Sequence, residues 1–371
     1  LAAKAIQALL DRNPKVDSSL LEDVVLGAAN QAGEDNRNVA RMALLLAGLP
    51  VEVGGVTVNR LCASGLQAIM DASRALMLGE GQAYIAGGTE SMTRAPFVTA
   101  KSETAFGRKV KTYDTTIGWR FTNPKLADLY YPFSMGETAE NVANQWKISR
   151  EEQDRFAHHS QLKYQKAHEE NLFGSQLIPI SVAQRKADPI LFDKDEHPRL
   201  SSMEKLASLK PAFKEGGTVT AGNSSGINDG AAASLMMNES LLKQLDLTPM
   251  ARVVAIATAG VAPDCMGIGP VPATQKALKR AGLNANDLDL IELNEAFASQ
   301  SLACIRDLNV DPDKVNVNGG SIAIGHPLGA SGTRISATLL HEMQRRSNVK
   351  YGLATMCVGV GQGAAIIYEK L

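Results

Sequence analysis

The sequence has few cysteines, few aromatic residues and almost no net charge. Four cysteines occur among 371 residues, and aromatic residues make up 5%. None of the cysteines has the close paired spacing of a zinc or thioredoxin-like site, and four are too few for a disulfide framework, so we expect no metal site and a reducing compartment. With 38 basic against 39 acidic residues, the chain is not expected to bind nucleic acid.

Long apolar runs are absent as well. No uninterrupted stretch approaches the roughly 18 apolar residues that span a bilayer, so we expect no membrane insertion and a cytoplasmic protein. The chain opens at Leu1, without a methionine, directly in a helical pattern. A leading segment is therefore expected to be missing, and any targeting peptide with it, so an organellar destination stays open.

What the sequence does contain is an internal repeat that relates its beginning to its end. In both regions a strand pattern and a helical pattern are followed by a second strand, a helix that opens with Ala-Ser-Gly, and a third strand. The paired segments are 23–27 with 289–294, 56–59 with 315–318, 63–65 with 330–332, and 82–87 with 350–355. Such β-α-β units build layered sheets. We therefore expect an α/β fold of two similar halves that face each other.

A central segment breaks the repeat and is interpreted as an inserted domain. We assign residues 1–93 and 218–248 to the first half, residues 94–217 to the insert and residues 249–371 to the second half. Within the insert, Ser149 and Glu152 form a capping-box pattern that predicts a helix running towards Phe173. This helix carries three histidines, which we expect to be solvated because no ligand cluster accompanies them: His158, His159 and His168.

Cys62 lies where a β-branched alternating stretch gives way to a helical apolar pattern. Unpaired N–H groups and the positive end of the helix dipole favour a thiolate at such a position, which makes Cys62 a candidate nucleophile. The alternative is a small buried core residue, as most free cysteines are. The matching turn of the second half has eight extra residues, in a glycine-rich loop that displays His326 just before a helix. Such loops carry function more often than packing.

Two further residues complete a candidate site. Cys357 precedes a glycine-rich turn whose backbone N–H groups could point at a ligand oxygen, and Asn294 ends a predicted strand. With Cys62 and His326, they lie at strand ends, where ligands bind in layered α/β sheets. A histidine activates a thiol and a second thiol moves a proton, so the site suits acyl transfer coupled to carbon–carbon bond making or breaking. Residues 217–230 are predicted to form a strand-to-helix turn that a ligand approaches closely.

Four blocks resemble thiolases, the acetyl-CoA C-acyltransferases, and the likeness covers essentially the whole chain. They are Asn59–Gly65, Asn294–Ala298, Gly319–Gly332 and Cys357–Gly363, in the thiolase order. The resemblance implies the thiolase fold, a duplicated five-layered core of two α-β-α halves, with the insert as its loop domain. The family's opening strand, with its Arg-Thr-Pro segment, has no counterpart, so the first sheet is expected to lack a strand. A homodimer or homotetramer is implied, and association with other β-oxidation enzymes is a further implied partnership.

The resemblance also implies roles for the candidate residues. In thiolases the residue that matches Cys62 is acylated, the one that matches His326 activates it and polarises the thioester carbonyl, and the one that matches Cys357 is the general acid/base. Asn294 matches the asparagine that holds a water in one oxyanion hole. The backbone amides of Cys62 and Gly359 match the donors of the other.

Coenzyme A is implied as a co-substrate, and no permanently bound cofactor is expected. Its pantetheine arm would lie near Ser225 and Ala221, with Phe213 and Arg199 as further contacts. Met135 would line the acyl site. These assignments rest on the resemblance alone.

The implied activity is that of a 3-ketoacyl-CoA thiolase, which cleaves its acyl-CoA substrate with coenzyme A through an acyl-cysteine and also runs in the Claisen direction. Ser134 stands where many biosynthetic acetoacetyl-CoA thiolases have histidine, which favours a degradative enzyme. Residues 114–121 look like those of β-ketoadipyl-CoA thiolases. An acetoacetyl-CoA-forming thiolase, a β-ketoadipyl-CoA thiolase and a thiolase for a hydrophobic acyl chain all stay open as alternatives. Rival readings are a decarboxylating condensing enzyme, which would not need Cys357, and a non-catalytic thiolase-like lipid-binding protein, which would have no reason to keep both thiols.

Overall fold

The computed structural model describes all 371 residues, and its regular elements alternate between helices and strands. The helices are α1 (Ala2–Asp11), α2 (Val39–Leu46), α3 (Ser64–Leu78), α4 (Pro124–Leu129), α5 (Met135–Gln145), α6 (Arg150–Glu169), α7 (Met203–Ala207), α8 (Glu239–Gln244), α9 (Pro270–Ala281), α10 (Ala298–Leu308), α11 (Ser321–Ile324) and α12 (Leu328–Arg345). The strands are β1 (Leu21–Gly27), β2 (Gly54–Val58), β3 (Ala83–Glu90), β4 (Phe97–Thr99), β5 (Thr112–Asp114), β6 (Ile180–Val182), β7 (Ile190–Phe192), β8 (Gly230–Met237), β9 (Ala251–Gly260), β10 (Leu290–Leu293), β11 (Tyr351–Val358) and β12 (Gln362–Lys370). None of the helices combines the length and the apolar character that a membrane crossing requires.

Two four-stranded sheets form the framework. The first has the order β2-β1-β3-β8, in which β2, β1 and β3 are parallel and β8 is antiparallel to β3. The second has the order β10-β11-β12-β9, in which β10 is parallel to β11 and β12 is antiparallel to both of its neighbours. The strands that the repeat predicts to be equivalent, β1 with β10 and β3 with β11, occupy equivalent places.

Helices α3 and α12 form the layer between the sheets. Their apolar side chains, among them Leu66, Met70 and Leu339, share one buried cluster with residues of both sheets. Helices α1 and α2 cover the outer face of the first sheet, and α9 and α10 cover the outer face of the second. This arrangement is the expected five-layered α-β-α-β-α core.

Two glycines at equivalent places in the repeat allow α3 and α12 to touch through their backbones. A Cβ on Gly65 would lie 2.7 Å from the backbone nitrogen of Thr333, and a Cβ on Gly332 would lie 2.3 Å from that of Leu66. Real side chains do not approach a backbone so closely, so both positions require glycine. Because the two glycines lie near the N-terminal ends of their helices, the contact brings the two helix beginnings together.

The segment between β3 and β8 adds two short hairpins, β4–β5 and β6–β7, and the helices α4 to α7. Helix α6 begins at the predicted capping box of Ser149 and Glu152, but it ends at Glu169 rather than near Phe173. His159 and His168 are exposed, as expected, whereas His158 is half-buried and its Nδ1 lies 2.9 Å from the carbonyl oxygen of Ser201.

Two local expectations are wrong. Residues 315–318 form no strand beyond a single bridge from Val315 to Ile291, because the side chain of Asn316 takes over the pairing. It accepts from the N–H of Leu293 and donates to the carbonyl oxygen of the same residue, both over 2.8 Å. The turn over 217–230 leads from α7 into a strand, not from a strand into a helix, because the residues that follow it pair with β3.

Candidate active site

Cys62 lies in a bend between β2 and α3. The preceding Leu61 has a φ of +46°, a left-handed conformation that is uncommon for residues other than glycine. Its N–H donates to Oδ1 of Asn59 over 2.8 Å, and Nδ2 of Asn59 donates to the carbonyl oxygen of Ala29 over 2.9 Å. The bend is therefore fastened to the chain that leaves β1, and this fixes the position of the thiol.

Burial raises the pKa of the half-buried Cys62 thiol to about 11. The backbone N–H groups of Gly359 and of Cys62 itself hydrogen-bond to the sulfur and act in the opposite direction, while the nearby Glu90 carboxylate raises the pKa further. The helix start favours the thiolate, as the sequence predicts, but it does not determine the protonation state of the thiol. Loss of water around the sulfur outweighs the N–H donors.

His326 is buried, and the hydrogen bond at its Nδ1 fixes the tautomer. Nδ1 lies 2.6 Å from Oγ of Ser331, whose own hydroxyl donates to the carbonyl oxygen of Pro327 over 3.1 Å. Since the hydroxyl proton of Ser331 is donated to Pro327, the Ser331 oxygen can only accept from the imidazole. His326 must therefore carry its proton on Nδ1 and keep a lone pair on Nε2. Burial, with a smaller contribution from the charge of Arg334, lowers the pKa of His326 to about 3. The ring is neutral at pH 7 and can accept a proton at Nε2.

Asn294 follows β10 and lies against the imidazole. Its Nδ2 is 3.4 Å from Nε2 of His326, and its Oδ1 accepts from the hydroxyl of Ser321 over 2.6 Å. The amide nitrogen therefore faces the same side as the free lone pair of the histidine. Both groups could bind one oxygen atom or one water molecule between them.

Cys357 is the penultimate residue of β11 and is 1% exposed. Burial raises its pKa well above the ordinary value, and the proximity of Cys62 raises it further, so the two thiols are near neighbours. In the turn that follows, the N–H of Gly359 reaches the Cys62 sulfur. Val360 in the same turn has a φ of +60°, which is a strained conformation for a β-branched residue. Cys357 is thus a neutral thiol that can donate a proton.

The residues predicted to bind coenzyme A lie at different distances from this cluster. The Ser225 N–H donates to the carbonyl oxygen of Ala296 over 3.0 Å, which fastens its turn beside the Asn294 block. Phe213 packs on Gly136 and is 40% exposed. Sδ of Met135 would lie 3.7 Å from a Cβ on Gly359, so it borders the site. Ala221 and Arg199 are exposed, and no hydrogen bond joins either of them to Cys62, His326, Asn294 or Cys357.

Sequence reasoning missed four side chains that hold the site together. They are Ser331 and Ser321, which bind His326 and Asn294, Arg334, which binds Ser321, and Glu90. Glu90 is 1% exposed and accepts N–H groups of Ala29, Asn30 and Gly329 at 2.9, 3.1 and 2.7 Å, so it bridges the two halves. The place of Ser331 in the repeated Ala-Ser-Gly triplet was an available signal. The other three depend on contacts between distant segments.

The sequence of the chain matches two known domain families. The N-terminal thiolase domain matches residues 1–240, and the C-terminal thiolase domain matches residues 247–370. The chain belongs to the thiolase family. It is accordingly an acyltransferase, and the resemblance seen in the four sequence blocks is confirmed.

This thiolase is 55% identical over 374 residues to the β-ketoadipyl-CoA thiolase of Pseudomonas aeruginosa. It is 53% identical over 374 residues to the 3-oxoadipyl-CoA/3-oxo-5,6-dehydrosuberyl-CoA thiolase of Escherichia coli strain K12. Both alignments cover 100% of this chain and 93% of the relative. A solved structure of human mitochondrial 3-ketoacyl-CoA thiolase in complex with CoA has a TM-score of 0.92 and 41% identity, and the match covers 100% of this chain and 91% of that chain.

Proposed function

We propose that this thiolase cleaves a 3-ketoacyl-CoA, with Cys62 as the acyl carrier, His326 as its base and Cys357 as the second acid/base. One observation carries the proposal: two neutral thiols are near neighbours, and the neutral imidazole of His326 keeps the lone pair on Nε2 that can accept a proton. A single thiol and a histidine would suffice for acyl transfer alone. The second thiol supplies the proton that cleavage of a carbon–carbon bond requires.

In the first half-reaction, Nε2 of His326 takes the proton of Cys62, and the thiolate attacks the 3-keto carbon. The bond between C2 and C3 then breaks and leaves its electron pair on C2, where Cys357 delivers its proton. Acetyl-CoA is released, and the shortened acyl group stays on Cys62 as a thioester. The imidazolium and a water held by Asn294 would stabilise the negative charge on the thioester oxygen of the departing group.

In the second half-reaction, the Cys357 thiolate takes the proton of a second coenzyme A, whose sulfur attacks the acyl carbon. The N–H groups of Cys62 and Gly359, which converge on the Cys62 sulfur, would stabilise the tetrahedral oxyanion. Collapse of this intermediate releases the shortened acyl-CoA. The Cys62 thiolate regains its proton from His326, so all three groups return to their neutral state.

The Cys357→Ala variant tests this division of labour. We expect it to accept an acetyl group on Cys62 from acetyl-CoA, because coenzyme A can leave as a thiolate, and to lose thiolysis by at least roughly 100-fold. Peptide mass spectrometry locates the acetyl group, and initial rates report thiolysis. The matched control is Cys265→Ala, a buried cysteine that donates to Gln145 and should retain the wild-type rate. Full turnover by Cys357→Ala would contradict the proposal.

We further propose that the acyl chain of the substrate ends in a carboxylate, as in 3-oxoadipyl-CoA. The names of the two relatives supply the substrate class. Ser134, which pointed to a degradative enzyme in general, accepts from the Glu137 N–H as the cap of α5. Because this local role explains the serine, it does not separate one acyl chain from another. The argument for a carboxylate depends instead on a cation near the acyl site.

We assign this role to Arg120. The preceding Trp119 donates from Nε1 to the carbonyl oxygen of Phe133 over 3.0 Å, which fastens the segment close to Met135. Nη2 of Arg120 donates to the backbone and side-chain oxygens of Asn30 at 3.1 and 3.0 Å. Both partners are neutral, so these contacts leave the charge of the half-buried guanidinium unmatched. A substrate carboxylate would match it in charge and in geometry.

Thiolysis rates for three substrates test the assignment. The substrates are 3-oxoadipyl-CoA, 3-oxohexanoyl-CoA, which has the same length but a methyl end, and acetoacetyl-CoA. We expect the wild type to prefer 3-oxoadipyl-CoA, and Arg120→Gln to lose roughly 10- to 100-fold in kcat/KM for it alone, as expected for one charge-assisted interaction. Arg108→Gln, at an exposed position of the same insert, is the control of equal charge.

The two parts of this proposal fail in different ways. A wild type that prefers 3-oxohexanoyl-CoA would overturn the dicarboxylic substrate class. A wild type that prefers 3-oxoadipyl-CoA, together with an Arg120→Gln variant that keeps the preference, would support the substrate class and remove Arg120 from its recognition.

A further inference from the structure

Arg334 lies on α12, eight residues after His326, and makes two hydrogen bonds to the segment that precedes this histidine, at the start of α11 and just after its end. Nη1 donates to the carbonyl oxygen of Gly325 over 2.6 Å, and Nη2 donates to Oγ of Ser321 over 2.7 Å. A guanidinium has donors and no acceptor. The Ser321 oxygen must therefore act as the acceptor towards Arg334, and its own proton is directed elsewhere.

That proton goes to Oδ1 of Asn294, 2.6 Å away. The amide of Asn294 is thereby fixed with its oxygen towards Ser321 and its nitrogen towards Nε2 of His326, 3.4 Å away. We propose that Arg334 is a positioning residue of the active site, which sets the orientation of the Asn294 amide through the Ser321 hydroxyl. The inference rests on the proposed function, because that function gives Asn294 its task.

The orientation has a chemical consequence. The two ends of an asparagine amide have nearly the same shape, so only hydrogen bonds decide which end faces a given neighbour. With Arg334 removed, the Ser321 hydroxyl can rotate, and the amide can turn by about 180° about its terminal bond. Its oxygen would then face the Nε2 lone pair, and the site would lose a donor for the water or oxyanion. The rotated Asn294 amide would present an acceptor where the site needs a donor, with almost no change in the volume of the side chain.

Arg334 is surrounded by carboxyl groups. Burial lowers its pKa from the ordinary value, and Asp195 from the insert, Glu292 of β10 and Glu295 oppose that shift. Removal of the whole guanidinium leaves these carboxyl groups without their cation and can unfold the protein. Ser321 is therefore the better residue to substitute, because loss of its hydroxyl removes the hydrogen-bonded link between Arg334 and Asn294 and leaves the charged groups in place.

The test compares Ser321→Ala, Ser321→Thr, Arg334→Lys and Asn294→Ala in thiolysis. We expect Ser321→Ala to lower kcat by roughly 10- to 100-fold, below the loss of about 100- to 1,000-fold for a deleted oxyanion-hole donor. KM for the acyl-CoA should stay within about twofold, because the interaction acts in the transition state. Ser321→Thr keeps the hydroxyl and should retain most of kcat, and Arg334→Lys keeps one donor and should fall between them.

A double variant separates positioning from general stability. In the Asn294→Ala background, Ser321→Ala should cause no further loss of kcat, because the group that it positions is gone. The control is Ser301→Ala, a buried serine of α10 that donates to the carbonyl oxygen of Phe297, the residue before this helix, and should leave kcat unchanged. A fully additive loss in the double variant, or unchanged kcat in Ser321→Ala, would overturn the inference. Full activity of Asn294→Ala itself would instead overturn the proposed role of Asn294.

Discussion

At the scale of single residues, Cys62 shows two opposing effects on one thiol. Its place before a helix and the N–H donors of Cys62 itself and of Gly359 favour the thiolate, but only the place before the helix could be anticipated from the strand-to-helix pattern. Burial acts against them and determines the outcome, with a pKa of about 11. Burial depends on residues from the other half of the chain, such as Gly359 and the Cys357 strand. The sequence therefore predicts the nucleophile and not its state of protonation.

The pH dependence of alkylation follows from that pKa. In the free enzyme, we expect the rate of Cys62 modification by iodoacetamide to rise about tenfold per pH unit from pH 7 and to level off near pH 11, because only the thiolate reacts. Because burial lowers the pKa of His326 to about 3, the free enzyme should hold a neutral imidazole and a neutral thiol at pH 7, and the thiolate–imidazolium pair should form only during the reaction. The modified Cys62 peptide is quantified by mass spectrometry, with Cys62→Ser as the blank. A rate that is already level at pH 6 would instead indicate a preformed ion pair.

At the scale of elements, prediction succeeds where the pattern is local. Strands β1, β3, β10 and β11 and the starts of α3 and α6 follow from alternation, helical periodicity and a capping box. Prediction fails at residues 315–318, where the strand-like pattern is real but the Asn316 side chain pairs with Leu293 in its place. It fails also at 217–230, because β8 is recognisable only from its pairing with β3. Both failures concern partners distant in the chain.

The same distinction applies to the elements of the candidate site. Cys62, His326, Cys357 and Asn294 stand at the ends of recognisable strands or in glycine-rich loops, so their types and positions indicate chemistry. In the sequence, Ser321 is one small residue of the glycine-rich loop, and Arg334 looks like an ordinary helix residue. Their part depends on α11 and α12 facing the end of β10, a relation that no local pattern contains. Glu90 likewise gains its function only when α12 brings Gly329 to the end of β3.

At the scale of the whole molecule, duplication and catalysis are joined at the contact between α3 and α12. Each half contributes one helix, and each helix begins two residues after a residue of the candidate site, Cys62 in one half and His326 in the other. The equivalent glycines, Gly65 and Gly332, set the separation of the two backbones. A symmetric structural contact thus positions an asymmetric pair of chemical groups.

Gly65→Ala and Gly332→Ala test this coupling. Alanine in a helix is favoured over glycine by roughly 1 kcal/mol, so both variants would be stabilised if the contact did not matter. We expect the opposite, a loss of about 1–3 kcal/mol in unfolding free energy, because each new methyl group meets backbone atoms that cannot move aside. Thiolysis should fall with it, since separation of the helices moves Cys62 away from His326. Thermal melting measures the loss of stability, and initial rates measure the loss of thiolysis.

Gly260→Ala is the control, because the atom nearest to a Cβ at this position is 3.9 Å away. Higher melting temperatures for Gly65→Ala and Gly332→Ala would show that the close contact between the helices does not constrain the site.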